Sequence, residues 1–192
     1  MRFVIAAAVA ATALGAGAPV LAQTTSFGGV YGNLGWSENQ VQGANTGSVT
    51  GRVGGRFGRY VGVEAEGSIG VNSGDRTFMP GAVNQTDVAV KQQLAGAVYG
   101  VGFLPLTPNF DLLARVGYGG SRYDIDPTGV AGYRVNENGI RYGAGAQYFF
   151  DGKNGLRVDY TRQEMNNPTD PGGYFNGKDH ANVWAVAFAH KF

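Results

Sequence analysis

Val61-Gly62-Val63-Glu64-Ala65-Glu66-Gly67-Ser68-Ile69-Gly70-Val71 alternates residue by residue. Val61, Val63, Ala65, Gly67, Ile69 and Val71 share one parity; Gly62, Glu64, Glu66, Ser68 and Gly70 share the other. Successive side chains of a β-strand point to opposite faces, so this stretch predicts a strand with one apolar face and one face of glycines and acids. Alternation alone does not say which face is inside. The position of the charges does. Glu64 and Glu66 sit at the strand centre between glycines, and a narrow lumen admits only a few large groups beside small ones.

The same pattern recurs outward from this strand. Val49, Gly51, Val53, Gly55 and Phe57 oppose Thr50, Arg52, Gly54 and Arg56. Ile140, Tyr142, Ala144, Ala146, Tyr148 and Phe150 oppose Arg141, Gly143, Gly145 and Gln147, and Leu156, Val158 and Tyr160 oppose Arg157, Asp159 and Thr161. Eight such stretches are expected, near 27–36, 49–57, 61–71, 88–104, 111–123, 139–150, 156–164 and 181–192. Most approach the roughly 9–11 residues that a tilted membrane strand needs. The stretch over 88–104 breaks the rule, because Lys91 and Gln93 share the parity of Tyr99, Val101 and Phe103. A bulge there, or a polar portion standing above the bilayer, would account for it.

The spacers alternate in length. Those at 58–60, 105–110 and 151–155 are short; those at 37–48, 72–87, 124–138 and 165–180 are long. Every short turn then falls at one end of the molecule and every long connection at the other, as in a transmembrane barrel. An even number of antiparallel strands closes without exposed edges and satisfies the backbone without water. The expected fold is all-β: an eight-stranded antiparallel up-and-down transmembrane β-barrel.

Residues 1–22 read as a signal peptide. Arg2 supplies a positive start, Phe3 to Leu14 forms a short apolar run, and Val20-Leu21-Ala22 is a small-residue cleavage site. Removing these 22 of 192 residues leaves 170 (residues 23–192), one domain with 14 Lys+Arg against 14 Asp+Glu. That balance supplies no basic surplus for nucleic acid. Nowhere after residue 22 do 18 consecutive apolar residues occur, which excludes a helical membrane span. With no cysteine, stability in an oxidising compartment rests on no disulfide. The chain's 33 Gly, 10 Tyr and 11 Phe suit a β protein. Trp36, Tyr60, Phe103, Phe110, Tyr118, Tyr148, Phe149, Phe150 and Trp184 fall near strand ends, as interface girdles require.

The chain resembles the small outer-membrane barrels of the OmpA/OmpX and opacity-protein type. The residues that carry this are Tyr31-Gly32-Asn33-Leu34-Gly35-Trp36, Val63-Glu64-Ala65-Glu66-Gly67, Leu104-Pro105-Leu106, Leu113-Ala114-Arg115-Val116-Gly117-Tyr118-Gly119, Tyr142-Gly143-Ala144-Gly145-Ala146-Gln147-Tyr148 and the terminal 184–192. The resemblance covers nearly all of 27–192. It implies an eight-stranded barrel in the bacterial outer membrane, embedded in lipid, with long external loops and no conserved catalysis. It also implies that Trp184, Val186, Phe188 and Phe192 on the last strand form the signal read by the barrel-assembly machinery.

The candidate lumen charge network is Arg52, Arg56, Glu64, Glu66, Arg115, Arg141, Arg157 and Asp159. Adjacent strands are expected to bring Arg52 and Arg56 to Glu64 and Glu66, and Arg141 to Asp159. Charges in low dielectric must pair, so a plugged lumen is expected; a narrow porin-like ion or solute channel is the alternative. A secreted soluble barrel binding an apolar ligand would need an apolar lumen, which the polar faces contradict. His180 and His190 lack a neighbouring Ser for a lipid-modifying site, and Asp124 with Asp126 is a weak acid pair. No enzyme activity, metal or cofactor is expected. The loop residues Asp75, Arg76, Phe78, Met79, Pro80, Asn166, Asn167, Pro168, Asp170, Pro171, Tyr174 and Phe175 are the candidate surface for an external ligand or host partner.

Overall fold

The computed structural model describes residues 29–41, 44–78, 86–127, 132–164 and 180–192. The expected signal peptide, Met79 and Pro80, and the connection at 165–179 lie outside them.

Alternation of side-chain size and polarity is converted directly into strands: β1 (Gly29–Val41), β2 (Ala44–Phe57), β3 (Val61–Gly70), β4 (Ser73–Phe78), β5 (Thr86–Thr107), β6 (Phe110–Pro127), β7 (Tyr133–Phe149), β8 (Asn154–Glu164) and β9 (His180–Lys191). All pairings are antiparallel. The order β3-β2-β1-β9-β8-β7-β6-β5-β4 closes through β3–β5. β3 and β4 together make one stave, interrupted where the backbone N–H groups of Val71 and Asn72 both donate to Gly47 O. Eight staves therefore close the barrel. The last strand pairs with the first from Tyr31↔Lys191 to Val41↔Ala181, which removes both edges.

The expected long connections are corrected. β1 runs to Val41 and β2 begins at Ala44, so most of 37–48 is strand. β4 occupies Ser73–Phe78, which places Asp75, Arg76 and Phe78 in a ladder with β5. β6 continues to Pro127 and β7 starts at Tyr133, so Asp124, Asp126 and Asn138 are strand residues. Polar residues do not end a strand when the neighbouring strand supplies hydrogen-bond partners; the ladder simply continues beyond the apolar belt. At the other end the turns are tight, and Gly58 and Gly152 adopt φ of 69° and 79°, a left-handed geometry that favours glycine.

The anomaly in the fifth strand is a bulge. The β5–β6 register shifts between Gln92 and Leu94. Gln92 is buried, Lys91 and Gln93 are exposed, and below the bulge Ala95, Ala97, Tyr99, Val101 and Phe103 all face inward. One inserted residue reverses the parity of everything after it. For the same reason Phe103 does not belong to the lipid-facing girdle. Phe149 is likewise luminal, with 2% of its surface exposed.

The barrel is inverted relative to a soluble protein. Leu34, Val63, Ile69, Val98, Val116, Val158, Val186 and Phe188 are exposed on its outer surface, whereas Ser37, Thr50, Arg52, Glu64, Arg115, Arg157, Asp159 and Thr161 are buried inside. Exposed apolar area this continuous is stable only against another apolar phase. Aromatic side chains border it: Tyr118, Tyr142 and Trp184 at one rim, Tyr60, Tyr148, Phe150 and Phe192 at the other. Trp184 and Phe192, like Tyr142 and Phe150, are eight residues apart. At about 3.3 Å per residue and about 40° of tilt, eight residues rise roughly 20 Å, close to the height of an outer-membrane apolar band.

Candidate functional site: the charged lumen

The lumen holds three tiers. The middle one is ionic. Arg52 (β2), Arg115 (β6) and Arg157 (β8) meet Glu64 and Glu66 (β3) and Asp159 (β8), three cations against three carboxylates. Arg157 Nη1 lies 2.6 Å from Glu64 Oε2 and its Nη2 2.9 Å from Asp159 Oδ1. Arg52 reaches Glu66 at 2.7 Å through Nε and Asp159 at 3.0 Å through Nη1. Arg115 Nη1 bridges Glu64 at 3.2 Å and Glu66 at 3.0 Å. No carboxylate in the cluster depends on one arginine, and no arginine depends on one carboxylate. The guanidinium fork allows this, because its five N–H donors point along fixed directions.

Neutral groups take the remaining valences. Tyr31 Oη donates to Glu64 Oε2 at 3.1 Å and Tyr99 Oη to Glu66 Oε1 at 3.1 Å. Thr161 Oγ1 accepts from both Nε (3.1 Å) and Nη2 of Arg115, whose guanidinium also stacks on the Tyr99 ring, 4.6 Å from its centroid. Glycines make the room. A Cβ on Gly54 would lie 2.3 Å from Tyr31 Cζ, and one on Gly145 would lie 2.8 Å from Asp159 Oδ1 and 2.5 Å from the Val158 carbonyl.

The upper tier is built of polar side chains, small ones on β1 to β3 and longer ones on β7 and β8. Ser37 and Thr50 share a hydrogen bond of 2.5 Å, Thr50 and Ser68 one of 2.8 Å, and Asn39 Nδ2 donates to Ser48 Oγ at 3.0 Å. Arg141 donates through Nη2 to Ser121 Oγ at 2.8 Å, and Gln163 Nε2 donates to Glu137. Among the described residues, four buried side-chain atoms lack a partner: both amide atoms of Asn33, Glu137 Oε2 and Arg141 Nε. The lower tier, toward the tight turns, is aromatic. Tyr31 and Phe103 meet edge to face at 6.0 Å beside buried Val101 and Leu113.

Two expected pairings differ. Arg141 does not bond Asp159; it turns upward to Ser121, and its Nη1 is 3.9 Å from Glu66. Arg56 does not join Glu64 and Glu66; it descends to Asp111, 3.1 Å from Nη1, and to the Arg59 carbonyl. Strand adjacency limits which side chains share a level, but in a lumen this narrow the opposite wall is as near as the adjacent strand. Arg157 thus reaches Glu64, 93 positions away in sequence. Sequence reasoning also missed Asp111 and Glu137, although they share the parity of Arg115 and Arg141. It missed the luminal tyrosines, which carried no charge to draw attention.

His190 is hydrogen-bonded to Asn154 Oδ1 at 2.7 Å on the outer face, and His180 opens β9. Among the described residues no group of three or more His, Cys, Asp or Glu side chains is placed to hold a metal ion.

The sequence model of the outer membrane protein β-barrel domain matches residues 5–192. The chain belongs to this family. Its setting is therefore the bacterial outer membrane. Solved structures share the fold at low identity. Ail of Yersinia pestis has 14% identity and a TM-score of 0.57, over 86% of this chain and 99% of Ail. Neisserial surface protein A has 9% identity and a TM-score of 0.55, over 86% of this chain and 97% of the other. A major outer membrane protein of Thermus thermophilus has 12% identity and a TM-score of 0.57, over 85% of this chain and 99% of the other. Comparison with curated proteins returned no match.

Proposed function

We propose that this outer-membrane barrel has a structural and surface-interaction role, with a lumen plugged by side chains rather than open to solutes, and that it is not an enzyme. The observation that carries this reading is the neutral six-residue cluster of Arg52, Arg115, Arg157, Glu64, Glu66 and Asp159 across the lumen. An ion crossing that plane would have to displace pairs with several bonds each, in a space that an eight-stranded barrel fills with side chains. The partner-facing part is the polar portion of β5, β6 and β7 beyond the apolar belt, where Arg122, Asp124 and Arg134 are solvent-facing. Ail, a barrel of the same fold, was solved in complex with the heparin analogue sucrose octasulfate, and a surface ligand of this chain would meet this polar portion.

The test is planar-bilayer recording of the purified mature protein. Silence is expected across the voltage range; steady unitary conductance would replace this reading with a narrow channel. For biogenesis, residues 1–22 act as the export signal, and Trp184, Val186 and Phe188 on the outer face of β9, with Phe192 just after it, form the surface read by the assembly machinery. Deleting Phe192 is expected to leave export intact and reduce the heat-modifiable, folded form in outer-membrane fractions.

A further inference from the structure

Below the ionic tier the lumen opens into a cavity of about 650 Å3 at the tight-turn end. That volume lies within the range of small-molecule sites. Its lining includes Arg56, Arg59, Asp111, Lys191, Phe103 and Phe149. Three cations thus face one side-chain carboxylate. That carboxylate is already committed, because Asp111 Oδ2 accepts from Arg56 Nη1 at 3.1 Å and from Gln147 Nε2 at 2.9 Å.

The cations are mounted on aromatic rings. Arg56 lies with its guanidinium carbon 4.4 Å from the Phe103 centroid, and Lys191 Nζ is 3.6 Å from the Phe149 centroid. Arg56 is also oriented from behind: Nε and Nη2 donate to the Arg59 carbonyl at 3.1 and 2.5 Å. Three of its five N–H donors are used and two remain. The Lys191 ammonium has no carboxylate within 4.0 Å among the described residues. A structural ion pair would have brought a carboxylate to it; an aromatic platform instead leaves its three donors for something else.

We propose that this vestibule is a binding site for a small anion carrying an apolar or aromatic body, with Arg56 and Lys191, backed by the Phe103 and Phe149 rings, holding the anionic group and the exposed apolar lining of Leu106 and Phe192 meeting the body. The site ends blind, because Tyr31 and the ionic tier close it from above. It is entered from the tight-turn side, the periplasmic side of such barrels. The ligand is held there rather than conducted, and the site stands whether or not the lumen above it carries ions.

The experiment is amide and side-chain NMR of the 15N-labelled mature protein in lipid nanodiscs, titrated with phenyl phosphate, phenylacetate, inorganic phosphate and benzyl alcohol. Phenyl phosphate or phenylacetate is expected to give saturable shifts at Gly29, Arg56, Phe103, Phe149 and Lys191. Which of the two binds more tightly tells a phosphate ligand from a carboxylate one. Inorganic phosphate and benzyl alcohol are expected to bind at least fivefold more weakly, since each offers half of the contact. Lys191→Met, which orphans no buried carboxylate, is expected to weaken binding at least fivefold and to flatten its salt dependence while the remaining spectrum is retained. Lys153→Gln at the same end, outside the cavity lining, is expected to bind as the parent does. The proposal is overturned if neither aromatic anion gives saturable shifts at these residues up to millimolar concentration. Benzyl alcohol binding equally well, or Lys191→Met binding unchanged, would overturn it too.

Discussion

Replacing Arg157 with Met tests whether the lumen cluster behaves as one charge-balanced unit. Arg157 is fully buried and contacts both Glu64 and Asp159. Its loss takes the six-residue cluster from neutral to one excess negative charge. Breaking a buried pair by removing one partner costs about 3–5 kcal/mol. The low end is expected here, about 3 kcal/mol, because Glu64 retains Arg115 and the Tyr31 hydroxyl and Asp159 retains Arg52. That is roughly a hundredfold in the folding equilibrium. Glu64→Met leaves the opposite excess, with Arg157 still on Asp159 and Arg115 still on Glu66. It too should cost about 3 kcal/mol. The double variant restores two cations against two carboxylates and buries two apolar side chains in their place. Its loss should be no greater than that of either single variant, which makes the coupling energy at least about 3 kcal/mol. Equilibrium urea unfolding from phosphatidylcholine vesicles, followed by the fluorescence of Trp36 and Trp184, measures all three. Additive losses of about 6 kcal/mol in the double variant would refute the balanced-unit reasoning.

Other outcomes follow from the placement of single residues. Val158 faces outward, level with the ionic tier; Val158→Arg is expected to destabilise the barrel in vesicles by about 2–4 kcal/mol, and an effect near zero would mean that this face does not meet hydrocarbon. Gly58→Ala at φ 69° is expected to cost about 1 kcal/mol, read from the same unfolding curves. In the 151–154 turn, the Asn154 side chain and then the Asn154 and Lys153 backbone N–H groups hold the Asp151 carboxyl down at about 2. Its folded value is lower than its unfolded one. The turn is therefore stabilised above the ordinary carboxylate range, and that contribution is lost as pH falls from about 4 through about 2. Carboxyl 13C titration should show the low midpoint, and Asn154→Ala should raise it.

Much of this protein was legible from residue order because the governing rule is local. A strand turns each successive side chain to the opposite face, so the parity of Glu64, Arg52, Arg115, Arg141, Arg157 and Asp159 could be read without knowing their neighbours. The same rule implied staves, closure and an outer surface of Val63, Ile69, Val158 and Val186. It also marked where that rule had to fail, between Lys91 and Tyr99. The manner of failure emerged in the folded barrel: a bulge at Gln92–Leu94 turns Tyr99, Val101 and Phe103 inward. Side-chain pairing lay beyond local rules as well. Which arginine meets which acid depends on strand stagger and on the short distance across the lumen, so Arg157 finds Glu64 on the far wall, Arg141 turns up to Ser121 and Arg56 turns down to Asp111. Polar segments at 37–48 and 124–138 read as loops because composition reports solvent exposure, whereas a hydrogen-bond ladder needs only a paired neighbour. Residue order assigned each side chain to a face, since that depends on parity alone; closure of the barrel chose the partners, since that depends on distances across the lumen.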